Sequence, residues 1–346
     1  MEFPGRLMEI TLNHRLCRTR DEVLAVATPQ VADFLDEWYS PADFVWGHTS
    51  GSTGAPKPMK LSKRDMEESA RLTLDFFGIT AGTTLLLCLS PDYIAGKMMI
   101  VRAILSGADL LVVPPSSRPL ATVDESVDFA AMVPAQVVES LNDAEHRAKL
   151  ARVGALIIGG APLSPATEAR LVELPVLSYA TYGMTETVSH VALRRIGDPT
   201  MNYRTLGSIT FTTDDRGCLV IHTPHFTLRQ FVTNDVVELT GERSFRWIGR
   251  YDHVINSGGV KIFPERVEQK IACLFTRRFF IAAGADEKWG ECVALAIEGE
   301  PLSSVDEAAL LARIRGMVDR YEVPRRVVYL PVFSETSSGK VIRRLS

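Results

Sequence analysis

The sequence predicts an α/β protein in two parts: a large N-terminal α/β domain carrying a small β unit, and a smaller α/β C-terminal domain. Three observations carry this expectation. Short apolar runs alternate with helical patterns through the first half, β-branched runs and turns dominate after Gly207, and a fresh α/β alternation begins after Gly249-Arg250. A chain of 346 residues is long enough for two cores, and the expected division is 1–248 and 249–346.

Leu85 to Leu89, Asp109 to Val113, Ala155 to Ile158 and Val176 to Tyr179 are apolar runs bounded by turn residues, the mark of buried strands. Between or beside them, Arg64 to Phe77, Ala95 to Leu105, Ala135 to Leu141 and Pro165 to Leu174 repeat their apolar residues at helical spacing, so the sheet is expected to be largely parallel. Gly207 to Phe245, with its Asp214-Asp215-Arg216-Gly217 turn, reads as the small β unit. The C-terminal part is expected to hold a short strand, a helix from Pro264, strands at Phe279 to Ala283 and Cys292 to Ile297, a helix from Val305 to Arg320 and a strand at Arg326 to Leu330. No internal repeat or low-complexity segment interrupts this plan.

Lys plus Arg number 38 against 42 Asp plus Glu, a net charge of −4, so nothing draws the chain as a whole to nucleic acid or anionic lipid. The five cysteines are odd in number and form no Cys-x-x-Cys pair, which argues for reduced, buried thiols rather than a disulfide framework or a zinc site. No stretch reaches the roughly 18 apolar residues of a membrane span, and Met1 to Ile10 lacks a basic start followed by an apolar run. The expected location is the cytoplasm.

The richest segment is His48-Thr49-Ser50-Gly51-Ser52-Thr53-Gly54-Ala55-Pro56-Lys57, with two glycines, four hydroxyls and a lysine in ten residues. Glycines let backbone N–H groups approach an anion, hydroxyls donate to its oxygens, and lysine adds a point charge: the chemistry of a phosphate cradle. Pro58 after Lys57 and the glycine spacing exclude a Walker A loop. By itself the segment also fits a surface linker.

Thr-Ser-Gly-Ser-Thr-Gly-x-Pro-Lys resembles the phosphate loop of the adenylate-forming superfamily of acyl-CoA synthetases, peptide-synthetase adenylation domains and luciferases, and six further segments resemble that family in the same order. Gly159-Gly160-Ala161-Pro162 is similar to the loop lining the adenine and acyl pockets. Tyr182-Gly183-Met184-Thr185-Glu186 resembles the segment whose aromatic ring stacks on adenine, whose threonine meets the α-phosphate and whose glutamate holds Mg²⁺. Thr233-Asn234-Asp235 is similar to the segment offering a carboxylate to the ribose, and Gly249-Arg250-Tyr251-Asp252 to the one supplying a ribose-binding arginine and the hinge, here Asp252. Ser257-Gly258-Gly259-Val260-Lys261-Ile262, with Pro264, Glu265 and Glu268, resembles the loop and helix start that swing in for the thiol step. Ser338-Gly339-Lys340 resembles the segment whose lysine assists adenylation. Singly, each residue could be an ordinary core or surface group; in register they imply one site.

The resemblance implies ATP, Mg²⁺ and coenzyme A as reactants and cofactors. Attack of a carboxylate on the α-phosphate brings anions together, so cations and donors must converge there. Thr49, Ser50, Ser52, Thr53 and Lys57 would hold the β- and γ-phosphates, Mg²⁺ on Glu186 would bridge phosphate oxygens, and Lys340 would meet charge developing at the reacting carboxylate. Gly51, Gly54, Gly160, Tyr182, Gly183, Thr185, Asp235 and Arg250 complete the expected nucleotide site. Adenylation is expected to need closure of the C-terminal domain, and the thiol step, through Ser257, Gly258 and Gly259, its rotation about Asp252.

The sequence also departs from the family. The phosphate loop begins nearer the N-terminus than is usual, so part of the large-domain scaffold is expected to be absent or supplied by another subunit, for instance in a homodimer. Pro58 and Asn234 stand where glycine is common, and the proline usual ahead of the terminal Ser-Gly-Lys is missing. Tyr93-Ile94-Ala95-Gly96-Lys97 occupies the place of the acid-pocket gate, with Arg102 further along the same helical pattern. Lys97 is either a solvated helix residue or, with Tyr93 and Arg102, a site for a second carboxylate on the substrate. The second reading and the compact length resemble the o-succinylbenzoate-CoA ligases of menaquinone synthesis. Another aromatic or short-chain acid, a carrier-protein acceptor in place of CoA, and a non-catalytic adenylate-binding subunit are the alternatives.

Overall fold

The computed structural model describes residues 8–48, 58–335 and 341–345. The chain separates into two compact units. One comprises Met1–Leu163, Thr167–Thr210 and His222–Phe231; the other comprises Ser164–Ala166, Phe211–Ile221 and Val232–Ser346.

The first unit opens with β1 (Ile10–Leu12), β2 (Arg15–Cys17), α1 (Arg20–Leu24), α2 (Pro29–Tyr39), β3 (Phe44–His48), β4 (Pro58–Ser62) and α3 (Lys63–Phe77). It continues through β5 (Thr84–Leu87), α4 (Ile94–Ser106), β6 (Asp109–Val112), β7 (Phe129–Met132), α5 (Pro134–Asn142), α6 (Ala144–Leu150), β8 (Ala155–Ile158), α7 (Pro165–Val172), β9 (Leu177–Gly183), β10 (His190–Arg195) and β11 (Tyr203–Thr205). Its sheet runs β11-β10-β9-β8-β7-β5-β6-β1-β2. The five central strands pair in parallel, as the alternation of apolar runs and helices predicts, while β10 pairs antiparallel with β9 and β11. Every residue of β7 and β8 is buried, the signature of strands covered on both faces. β7, Phe-Ala-Ala-Met, is too short and too poor in β-branched residues to be read from its own letters; its neighbours make it a strand.

The second unit contains most of β12 (Thr210–Thr213), β13 (Cys218–His222), β14 (Gln230–Gly241) and β15 (Ser244–Arg250), a sheet in that order. Its remaining elements are β16 (Ile255–Ser257), β17 (Val260–Ile262), α8 (Pro264–Ile271), β18 (Phe279–Asp286), β19 (Gly290–Glu298), α9 (Ser304–Arg315) and β20 (Arg326–Leu330). Strands β17, β16, β19 and β18 lie side by side, and β20 joins β19 in parallel after the α9 crossover. Ile255, Ile262, Val267, Ile271, Ile281, Val293, Leu295 and Ile314 form their common core. Among the described residues no helix is long and apolar enough to cross a membrane.

Candidate active site

In the first unit the expected nucleotide segments fall at the C-terminal ends of neighbouring parallel strands, where open α/β sheets bind ligands. Gly160 follows β8, and Tyr182 and Gly183 close β9. These strands pair with Ile158 opposite Ala180, and the Thr181 hydroxyl donates to the Ile158 carbonyl at 3.2 Å. Gly183 is required by crowding: a Cβ there would sit 2.3 Å from the Ser189 carbonyl oxygen. Thr185 and Glu186 stand in the single 3₁₀ turn Thr185–Thr187. Thr187 braces it, its hydroxyl oxygen lying 3.0 Å from the Met184 N–H that it accepts and 2.8 Å from the Ser189 carbonyl. Glu186 is exposed and enters no ion pair among the described residues, so its carboxylate is free for a hard cation that keeps most of its water and phosphate ligands.

The turn then passes through Val188 at φ +53°, a conformation that branched side chains rarely adopt and that costs on the order of 1–3 kcal/mol. Its effect is to tuck Ser189 back, with the Ser189 N–H on the Thr187 carbonyl at 2.6 Å. Ser189 meets a residue the sequence flagged. Arg102, on α4, is 1% exposed and donates from Nη2 to the Ser189 hydroxyl at 3.1 Å and from Nη1 toward the Met99 sulfur at 3.5 Å. Its Nε is buried without a partner, and no carboxylate among the described residues lies within ion-pair distance. Burial pushes the guanidinium down to about 9, which leaves it cationic at neutral pH.

A one-way hydrogen-bond chain runs on from there. Ser189 lies 3.3 Å from His190 Nδ1, His190 Nε2 lies 3.2 Å from the Thr73 hydroxyl, and Thr73 donates to the Ser69 carbonyl. Ser189 donates to Nδ1, and Nε2–H donates to Thr73. Burial first, then the Arg102 charge, holds the His190 imidazole well below its ordinary range and therefore neutral. Sequence reasoning missed Ser189, His190 and Thr73, because Val-Ser-His-Val in a strand context carries no ligand-binding spacing.

Lys97 and Tyr93 do not join this cluster. Residues five apart on a helix are about 140° apart around its axis, and Lys97 turns instead toward α2, reaching Glu37 at 3.3 Å and the face of Phe34 at 4.7 Å. The reading of Lys97 as a solvated helix residue is therefore corrected: it is 8% exposed, and its charge already has a partner. Tyr93 caps the start of α4 and is 58% exposed.

In the second unit Asp235 on β14 stands directly opposite Arg250 on β15, their charged groups 3.9 Å apart. Trp247 Nε1 donates to Asp235 at 3.1 Å, and Arg250 forks onto Asp252 through Nε at 2.9 Å and Nη2 at 2.8 Å. Ser257, Gly258 and Gly259 form the tight β16–β17 turn. Gly258 lies at φ +58° with Trp289 so close that a Cβ would stand 2.2 Å from the indole, and its N–H donates to the Trp289 carbonyl. His253 Nδ1 bonds Glu265 at 2.6 Å. Burial would raise that carboxyl, but this bond and the Arg343 charge outweigh it and hold it below its ordinary value.

Thr49, Ser50, Gly51, Ser52, Thr53, Gly54 and Lys57 lie outside the described residues, as does Lys340. Their flanks are described. β3 and β4 pair antiparallel up to His48 opposite Pro58, and Glu335 bridges Val341, with the Ile342 N–H on the Ser334 carbonyl at 2.8 Å.

The sequence model of the family described as AMP-binding enzyme matches residues 16–220. An acyl-CoA synthetase (AMP-forming)/AMP-acid ligase II-like protein from Dyadobacter fermentans is 38% identical, with 91% of this chain and 92% of that chain covered and a TM-score of 0.61. A 2-succinylbenzoate–CoA ligase from Enterococcus faecalis is 25% identical over 333 residues, 86% of this chain and 67% of its own length. The o-succinylbenzoate coenzyme A synthetase from Bacillus subtilis, solved with ATP and magnesium ion, shares the fold at a TM-score of 0.74 and 18% identity, covering 94% of this chain and 77% of that one. With 205 of its 346 residues inside the family match, and with that match spanning the sheet and turns just described, the chain belongs to the AMP-binding enzyme family.

Proposed function

We propose that this chain is an acid–CoA ligase that joins a carboxylic acid to ATP, releasing pyrophosphate, and transfers the acyl group from the adenylate to the thiol of coenzyme A. The acid is o-succinylbenzoate, which offers one carboxylate for activation and a second for recognition. The observation that carries this substrate is Arg102: a buried cation on α4, facing the Met99 thioether of its own helix and the Ser189 hydroxyl of the turn that follows Glu186, is suited to an arriving carboxylate. The name of the Enterococcus faecalis relative supports the same acid.

Each residue has a role in that reaction. Lys57 and the hydroxyls of Thr49, Ser50, Ser52 and Thr53 bind the β- and γ-phosphates. Tyr182 stacks on adenine, Thr185 meets the α-phosphate, Asp235 and Arg250 hold the ribose, and Lys340 steadies the incoming carboxylate as charge builds. Mg²⁺, held by Glu186, would supply charge neutralisation between phosphate oxygens. Residues 249–346 act as a lid that turns at Asp252, bringing Ser257, Gly258 and Gly259 to the thiol step. Lys97, paired with Glu37, and the exposed Tyr93 stand apart from Arg102, so recognition of the second carboxylate falls to Arg102. The enzyme works as a homodimer, which light scattering checks.

Pyrophosphate release with ATP and Mg²⁺ across o-succinylbenzoate, benzoate, a medium-chain fatty acid and acetate, each with and without CoA, tests the reading. CoA-dependent turnover with o-succinylbenzoate alone is expected. Turnover with another acid overturns the substrate but keeps the reaction, and silence across the panel shifts the acceptor to a carrier protein or removes catalysis altogether.

A further inference from the structure

The turn between β12 and β13 carries an arginine whose every arm is engaged with the ribose-side residues of the second unit. Arg216 donates from Nε to Asp214 at 2.9 Å, from Nη1 to the Asn234 side-chain oxygen at 2.9 Å and from Nη2 to the Thr233 carbonyl at 3.1 Å. Its guanidinium carbon lies over the Tyr251 ring, 5.2 Å from the ring centre. Asp214 in turn is fixed by the N–H groups of Arg216 and Cys218, both at 2.9 Å, so the arginine is held at its base. Thr233 completes the frame: its hydroxyl donates to the Leu219 carbonyl at 2.9 Å and accepts the Asp235 N–H at 3.0 Å.

The two residues flanking the ribose pair are thus tied to one side chain. Asn234 precedes Asp235, and Tyr251 follows Arg250. Asn234 also stands where the family commonly has glycine, and a glycine would offer Arg216 no side-chain oxygen. An isolated surface ion pair with Asp214 alone would contribute little; a fork that binds β14 and lies over the ring of the residue just after β15 ties the ends of the two strands together.

We propose that Arg216 is a positioning residue for nucleotide ribose recognition: by gripping Thr233-Asn234 and holding its cation over the Tyr251 ring it sets the separation and direction of the Asp235 carboxylate and the Arg250 guanidinium. The inference rests on the reading of Asp235 and Arg250 as the ribose pair. It assigns Asn234 a function, as the acceptor that lets Arg216 act on β14, and it makes the β12–β13 turn part of the nucleotide site without contact to the nucleotide.

Calorimetric titration of the full chain with Mg-ATP and with Mg-2′,3′-dideoxy-ATP, in the absence of acid, tests it. The wild type is expected to favour ATP about tenfold, the scale of one charge-assisted hydrogen bond. Asp235→Asn should bring that ratio close to one. Arg216→Leu should do the same while leaving affinity for the dideoxy nucleotide unchanged, and Asn234→Gly should lower the ratio by a smaller factor, a readout that stands even if Arg216→Leu fails to fold. A wild-type ratio in the folded Arg216→Leu protein or in Asn234→Gly, or equal weakening of both nucleotides, overturns the positioning role while the Asp235 result keeps the ribose reading. An unchanged ratio in Asp235→Asn sinks the ribose reading itself, and the role of Arg216 with it.

Discussion

Arg343, half-buried in the second unit, and Arg102, fully buried in the first, are treated in opposite ways. In the second unit Arg343 forks onto Glu268, with Nη2 to Oε2 at 2.8 Å and Nη1 to Oε1, donates to the Ile281 carbonyl at 3.0 Å and has Glu265 at 3.9 Å. In the first, Arg102 has a hydroxyl, a thioether and one bare Nε. A cation answered by carboxylates pins the C-terminal segment to α8 and β18. A cation left with neutral partners is a cost the fold bears, and the turn it holds runs directly from the exposed Glu186. Under the proposed function, charge balance separates Arg343, which holds structure, from Arg102, which would meet the acid.

That contrast can be broken by variants. Glu268→Gln leaves Arg343 only the more distant Glu265 and should lower the stability of the second unit by about 2 kcal/mol in urea unfolding, because a largely buried cation loses its forked counter-charge. Arg102→Met, similar in volume, should cost nothing or stabilise by about 1 kcal/mol. In the same protein, turnover with o-succinylbenzoate should fall about a hundredfold, or about 2.7 kcal/mol in the activation barrier. An Arg102→Met protein as unstable as Glu268→Gln would make both arginines structural and erase the distinction.

The smallest effect sharpens the comparison through pH. Since the folded His190 imidazole is held below its ordinary value, the unfolded chain binds the proton more readily once pH drops under about 6.5. The stability this group contributes is therefore complete above that pH and is lost as pH falls toward the folded value, at no more than about 1.4 kcal/mol per pH unit. His190→Gln should flatten that part of the stability profile. Arg102→Met should leave the onset where it is and reduce the total loss, because one of the two causes of the depression is gone. A profile unchanged in both variants would mean that the histidine is not buried beside the guanidinium in solution.

Much of this was legible in the letters. Apolar runs of four or five residues between turn residues placed β5, β6, β8 and β9 within a residue or two at most ends, and Arg326–Leu330 without error. Helical spacing located α3 and α5 equally well, because their buried faces recur every three or four residues, while α4, found as closely, is buried all round from Gly96 to Ala103. The expected helix Val305 to Arg320 instead ends at Arg315, where the Gly316 N–H caps it. The nucleotide segments were readable because seven of them resemble the family's segments in the family's order, although each alone also fits an ordinary loop or surface group.

The sequence by itself determined the α/β class, the order of the elements, the family segments and the presence of Arg102 and Arg250 near them, since these depend on local periodicity and on motifs that are contiguous in the chain. Tertiary structure alone decided that β7 is a strand, that Lys97 is drawn to Glu37 and Phe34, that Arg102 finds Ser189 and no carboxylate, and that Arg216 reaches Asn234 and Tyr251. Those outcomes depend on pairs 18 to 87 residues apart, as for Arg216 with Asn234 and Arg102 with Ser189. Whether a charge is balanced is a property of everything packed around it, and no window of sequence contains that sum.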